Sequence, residues 1–396
     1  MRVGETRASV FERHPRLFTI LLVVTSSLGT DVAFTWIHHW LSPHPRAAWA
    51  SFRAASAVFH HGFRPLSSAD HDRWGPRVVS YRIDSLGLRD ATARQVPLAS
   101  GRHRIVFIGD SFTEGIGVDW KKSFVGLAAR ALEKEGVEVL NAGCVSYCPI
   151  IYYRKIKWLL DQGLEFDDVI VFIDMGDIQD EVCYRLDGEG NVVPDEIRRI
   201  REERENIRYA LPPLLRNLGL RLLLKKHTTV LFALYELLED ALKTDDRRAA
   251  QWTIDPGLYE AFGRDGLRNA EEHMDLLAGL LRPRGIRLTV AVYPWPDQIR
   301  HHDLASVQVS FWRQWAADHG AGFIDYFPRF VRPEADHVLA SNFIRGDIHW
   351  NEAGHEVVAE GFLEYWNRAN LDRRASTASA VSMKRLPTTG GATRQP

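Results

Sequence analysis

The chain has 396 residues, 45% hydrophobic, 26% charged and 11% aromatic, a folded composition of about two to three domains that excludes a disordered chain. Lys+Arg 50 against Asp+Glu 51 leaves a net charge of -1, unlike a protein built to coat nucleic acid, and a mean hydropathy of -0.22 excludes several membrane spans. Three cysteines exclude a disulfide scaffold and are too few for a structural zinc module.

The first element is apolar. Leu17 to Trp40 carries one formal charge, Asp31, behind a flank holding Arg2, Arg7, Arg13 and Arg16. An apolar stretch of this length behind basic residues predicts a membrane-spanning signal anchor, with residues 1–16 in the cytoplasm. A cleaved signal peptide and a poorly exposed soluble helix are the alternatives, and no A-x-A-like cleavage site is well placed. Either membrane reading puts the rest of the chain outside the cytoplasmic membrane. Trp36, Trp40 and Trp49 suit an interfacial belt.

Residues 41–102 read as a linker and N-terminal extension, interrupted by Pro43, Pro45, Pro65, Pro76 and Pro97. Within them YRIDSLGLRD, Tyr81 to Asp90, is a short extended piece with a glycine turn. Then β-branched runs alternate with amphipathic stretches. HRIVFIGDS (from His103), VEVLNAG (from Val137), DDVIVFIDMGD (from Asp167), GIRLTVAVYPWP (from Gly285) and GFIDYFP (from Gly322) predict five strands, and SFVGLAARALEKEG (from Ser123) a helix. Strands separated by helices imply right-handed βαβ units and a parallel sheet.

The alternation lapses over 184–270. This stretch contains a turn at DGEGN, a charged helix EIRRIREERENIRYA and a leucine-rich segment through Lys243. It is read as a helical insertion packed on the sheet, or as a lid or surface helix resting on lipid or a partner. The folded domain is expected over 103–370. The Ser/Thr/Gly-rich end, 371–396, is expected to be disordered.

In doubly wound sheets ligands bind beyond the carboxyl ends of strands. The first strand ends in IGDSFTEG, placing Ser111 in a strand-to-turn position with Gly109 and Gly115 leaving space. Serine needs a base to become a nucleophile, and imidazole oriented by a carboxylate suits that task. GDIHWNEAGH supplies Asp347 and His349 just before a helix, with His355 the rival base. The backbone N–H groups of Ser111 and Gly143 are candidate oxyanion donors.

These blocks together resemble the SGNH (GDSL-like) hydrolase superfamily. IVFIGDSFTEGIGV matches its first block, VLNAGCVS its second and DIHWNEAGH its last. The resemblance implies a flavodoxin-like three-layer α/β/α sandwich. It implies the nucleophile Ser111, the base His349, the acid Asp347 and an oxyanion donor at Gly143. Two departures stand out. Where the family has Gly-x-Asn-Asp this chain reads DMGD, so Gly176 replaces the oxyanion-hole asparagine beside Asp177, and Gln179 or a backbone N–H is the candidate replacement. The acid and base are separated by one residue, in an Asp-x-His-Trp order similar to SGNH-like proteins of bacterial exopolysaccharide O-acetylation.

The expected function is therefore a serine esterase removing acyl groups from an O-acylated glycan or other envelope ester. An O-acyltransferase and an inactive glycan-binding or assembly subunit are the alternatives. The expected location is the inner membrane, single-pass, with the domain on the extracytoplasmic side. A membrane acyltransferase is a candidate partner. No cofactor, metal or nucleic acid is called for. Cys144, Cys148 and Cys183 read as unpaired thiols, with a disulfide the alternative. The pairs His38-His39, His60-His61 and His301-His302 read as surface histidines. PWPDQI, from Pro294, is expected at the pocket rim. Asp174, Asp177, Asp180 and Glu181 are expected to be solvated.

Overall fold

The computed structural model describes residues 14–41, 52–75, 77–195, 223–224, 226–242 and 248–384. The chain begins with helix α1 (Pro15–Leu41), whose segment Pro15–Ile37 is long and apolar enough to cross a membrane. Two antiparallel hairpins follow, β1 (Arg53–Ser56) with β2 (His60–Phe63), and β3 (Ser68–Trp74) with β4 (Arg77–Arg82). The central sheet then starts with β5 (His103–Ile108). After it come α2 (Ser111–Glu114), α3 (Phe124–Glu133), β6 (Val137–Asn141), α4 (Pro149–Asp161), β7 (Asp168–Ile173) and α5 (Met175–Glu181). A third hairpin, β8 (Tyr184–Leu186) with β9 (Val192–Pro194), leads into the region expected to be helical. There the described helices include α6 (Val230–Leu242), short helical turns between Arg248 and Gly263, and α7 (Arg264–Leu281), and the predicted charged helix lies outside the described residues. β10 (Arg287–Val292), α8 (Pro296–Arg300), α9 (Val307–His319), β11 (Gly322–Asp325), α10 (Ala335–Asn342) and α11 (Glu352–Lys384) complete the chain.

All five expected strands pair in one parallel sheet of order β11-β10-β7-β5-β6. Helices cover it, as the fully buried runs of β5, β6 and β7 require. After β5 the chain turns toward β6, and after β7 it turns the other way toward β10. The crevice at this reversal is where an open α/β sheet presents its ligand site, and it lies between the loops carrying Ser111 and Gly176. The last part of the insertion packs against α5. Trp252 is buried and donates its indole N–H to Met175 O at 3.0 Å, and Gly266 lies flat on Ile178, so 248–270 joins the core. Helix α11 continues to Lys384 across part of the predicted tail, where RASTASAVSMK has no proline or glycine to stop it.

The extension is built into the turn that carries Ser111. Glu114, fully buried at the end of α2, takes both Arg53 guanidinium nitrogens, the Tyr81 hydroxyl at 2.9 Å and the Val145 N–H at 2.8 Å. Arg89, also buried, donates to the carbonyls of Glu114, Gly115 and Val118 at 2.6–2.7 Å. Burial works to raise the Glu114 pKa, but the Arg53 charge and these donors outweigh it and hold the carboxyl below its usual range. Glu114 therefore stabilises the fold above the unfolded carboxyl pKa of about 4.3, and that contribution fades as pH falls through its lowered value. Arg53→Ala, which strands a buried carboxylate, is expected to destabilise the protein by about 3 kcal/mol or more in denaturant unfolding at neutral pH, with a smaller deficit in acid.

Candidate active site

The turn between β5 and α2 sets the position of Ser111. Asp110 caps the short helix by accepting the Phe112 N–H at 2.9 Å, and Gly115, at φ 84°, ends it. The packing admits no side chain beside it. A Cβ at Gly109 would stand 2.2 Å from Thr113 Oγ1, and one at Gly143 would stand 2.7 Å from Thr113 Cβ. Ser111 and His349 each keep about 6% of their surface exposed, so the pair is enclosed but reachable.

His349 and Asp347 come from the loop before α11. Phe343 and Trp350 close that loop as a β-bridge, and Ile344 N–H donates to His349 O at 2.9 Å. Within it Asp347 Oδ1 lies 2.6 Å from His349 Nδ1 and accepts the His349 backbone N–H at 3.1 Å. This local turn is how a single intervening residue suffices between carboxylate and imidazole. His349 Nε2 lies 2.8 Å from Ser111 Oγ, completing a continuous hydrogen-bond chain Asp347–His349–Ser111. With Nδ1–H directed at the carboxylate, Nε2 is free to accept the serine proton. His355 is elsewhere. It is buried, stacks on Phe124 and accepts the Phe124 N–H through Nδ1, and burial pushes its pKa down to about 3, so it packs as a neutral ring.

Sequence reasoning missed a fourth member. Trp74, on the β3–β4 hairpin of the extension, donates its indole N–H to Asp347 Oδ2 at 2.9 Å and sets its ring edge-on to His349 at 5.3 Å. Its only signal in the sequence was an isolated tryptophan in a polar stretch.

Behind Ser111 lie three buried carboxyls, Asp110, Asp174 and Asp177, with oxygens within 4.8 Å of one another. The expectation of solvated charges is corrected here. Asp174 and Asp177 cap each other's backbone at the start of α5, at 2.9 and 3.0 Å, and Glu181 accepts the Ile150 N–H and pairs with His273. Tyr152 donates to Asp177, Tyr293 to Asp110 and the Trp295 indole to Asp174. Burial, then the neighbouring Asp174, push Asp110 well above the usual carboxylate range, and burial with its two neighbours does the same to Asp177. This raised Asp110 carboxyl lies 3.1 Å from Ser111 Oγ.

The two candidate oxyanion donors, Ser111 and Gly143, are placed differently. Ser111 is the first residue of α2, so its N–H has no partner within the helix. The Gly143 N–H instead donates to Asn141 Oδ1 at 3.0 Å, the Asx turn of the NAG segment, while Asn141 Nδ2 holds Thr113 O at 2.8 Å. Gly176 is glycine for a packing reason. A Cβ there would lie 2.8 Å from the Trp295 indole, which fills the space an asparagine side chain would need. Trp295 is thus a buried partner of Asp174 rather than part of a rim. Asp177 and Gln179 are both buried on α5, and neither hydrogen-bonds to Ser111 or His349.

The remaining candidates resolve simply. Cys144, Cys148 and Cys183 are buried and are not joined by a disulfide. His301 and His302 are exposed, but His61 is half-buried against Tyr147 and bonded to Val145 O at 2.6 Å, because the β1–β2 hairpin packs onto the domain. The side chains of His38 and His39 lie outside the described residues.

No protein-family model matches this chain, and no curated protein matches it. Among solved structures it is similar to a lipolytic G-D-S-L family protein from Veillonella parvula, at 14% identity over 67% of this chain and 99% of that one, with a TM-score of 0.38. It is also similar to TesA, at 11% identity over 66% and 97%, TM-score 0.38. A third similar structure is Axe2, an acetylxylan esterase from Geobacillus stearothermophilus, at 14% identity over 68% and 96%, TM-score 0.34.

Two substitutions probe this geometry. Trp74→Phe, which removes one hydrogen bond to a charged group, is expected to lower kcat about tenfold with little change in KM, in steady-state ester hydrolysis. Gly176→Asn is expected to destabilise the protein by about 1–3 kcal/mol by thermal unfolding and not to raise turnover, because the indole occupies the site.

Proposed function

We propose that this protein is an SGNH-type serine esterase that removes acyl groups through an acyl-enzyme on Ser111. The observation that carries the reading is the unbroken chain Asp347–His349–Ser111, with contacts of 2.6 and 2.8 Å, at the reversal point of the sheet. Ser111 Oγ attacks the ester carbonyl as its proton passes to His349 Nε2, and Asp347 stabilises the resulting imidazolium. The tetrahedral oxyanion faces the Ser111 N–H. It collapses as His349 returns the proton to the departing alcohol, leaving an acyl-serine. Water, deprotonated by His349, then attacks the acyl carbon and releases the carboxylic acid, restoring Ser111.

The substrate we infer is an O-acylated glycan of the cell envelope, acetyl esters first among them. Support comes from the Asp-x-His-Trp order of the acid–base loop and from an N-terminal helix long and apolar enough to hold the domain at a membrane. The same Asp-x-His-Trp order favours a second reading, in which a sugar hydroxyl replaces water and the enzyme transfers the acyl group.

Labelling by a serine-directed fluorophosphonate tests the nucleophile. Wild type is expected to label, Ser111→Ala not at all, and His349→Ala far more slowly. Turnover of an acetylated oligosaccharide should fall at least about 10³-fold in Ser111→Ala. A well-folded wild type that neither labels nor turns over would refute the esterase reading. Acetate release suppressed by an unacetylated acceptor glycan, with the acetyl group recovered on that acceptor, would identify transfer.

A further inference from the structure

The candidate span carries a carboxylate, Asp31, on an otherwise apolar helix, and hydrocarbon offers an unpaired carboxylate nothing. Yet Asp31 is 7% exposed and Thr35, one turn on, is 1% exposed, while their neighbours Phe34, Trp36 and Ile37 lie open. What covers them is the start of α6. Asp31 Oδ1 accepts the N–H groups of Thr229 and Val230 at 3.0 and 2.9 Å, and Oδ2 accepts that of Leu231 at 2.8 Å. Thr35 Oγ1 and Thr229 Oγ1 lie 2.8 Å apart. The side chain therefore caps a helix nearly two hundred residues away in sequence, meeting orphan donors at the positive end of its dipole.

We propose that α6 is a second membrane-embedded helix, docked on α1 through Asp31, with lipid hydrocarbon as the occupant of its exposed face. The inference rests on α1 being a membrane span and is independent of the esterase chemistry. Its first argument is continuity. Asp31 lies about 9 Å inside the Ile37 end of the apolar segment, at 1.5 Å per residue, so the medium around α1 at that level also surrounds the first turns of α6. The second is composition. Val230, Leu231, Leu234, Leu237 and Leu238 are all exposed, and in α6 only Tyr235 is buried among the residues whose side chains are described. A helix apolar on nearly all sides is suited to lipid rather than to water. The third is polarity at its far end. Glu236, Glu239 and Asp240 fall in the last two turns, so that end returns toward the headgroups. Lys226, one turn before the cap, has a stem long enough to reach the same level. The backbone groups that a half-embedded helix would otherwise leave bare in lipid are the ones Asp31 takes.

The test uses the full chain in phosphatidylcholine vesicles, with a thiol-reactive fluorophore on Leu22→Cys or Leu234→Cys; the native cysteines are buried. Quenching by an acyl-chain nitroxide is compared with quenching by iodide. Both probes are expected to be quenched several-fold more strongly from the lipid. Adding Asp31→Ala should shift only the Leu234→Cys probe toward iodide. A Leu22→Cys probe in lipid with a Leu234→Cys probe in water would overturn the proposal and leave the span standing. Both probes in water would overturn the span and the proposal together. A Leu234→Cys probe that stays in lipid after Asp31→Ala would overturn the docking role of Asp31.

Discussion

Everything at this site depends on how tightly the turn after β5 is packed. A serine hydroxyl is useful only if its oxygen stays within hydrogen-bond distance of an imidazole arriving from the far end of the chain. Here that distance, 2.8 Å, is held because the turn has nowhere to move. Thr113 presses on Gly109 from one side and on Gly143 from another, so the ends of β5 and β6 approach as only glycine allows. From outside, Arg89 ties three carbonyls of the turn and Arg53 neutralises the Glu114 carboxylate at its end. The extension is thus a structural part of the nucleophile's support.

The same extension reaches the acid–base loop. Trp74 fixes the outer oxygen of Asp347 while the inner one orients His349, so the carboxylate is held at both oxygens. Beneath Ser111, burial and the neighbouring Asp174 push the Asp110 carboxyl well above the usual carboxylate range, and tyrosine and tryptophan donors hold the cluster. The Trp295 indole that serves Asp174 also excludes a side chain at position 176, so the absence of the family's asparagine and the presence of this carboxyl cluster are one packing decision.

The N-terminal helix shows a related economy. A carboxylate in an apolar helix looks out of place until its three backbone donors are seen, and then it becomes a joint between two helices.

The five strands, the parallel sheet, and Ser111, Asp347 and His349 as candidates for one site were legible in the sequence, because each rests on local information. Buried parallel strands are short β-branched runs, and GDS and DIH place reactive groups within a few residues of a strand or helix end. The N-terminal helix, long and apolar enough to cross a membrane, was legible as plain apolar length. Partnerships between distant segments emerged only on folding. Trp74 meets Asp347, Arg53 meets Glu114, Trp295 displaces a side chain at Gly176 and Asp31 caps α6. No periodicity marks such pairs. The acidic cluster after β7 read as solvated for the same reason: whether a carboxyl is wet or buried depends on what folds over it, and Tyr152, Tyr293 and Trp295 come from other parts of the chain.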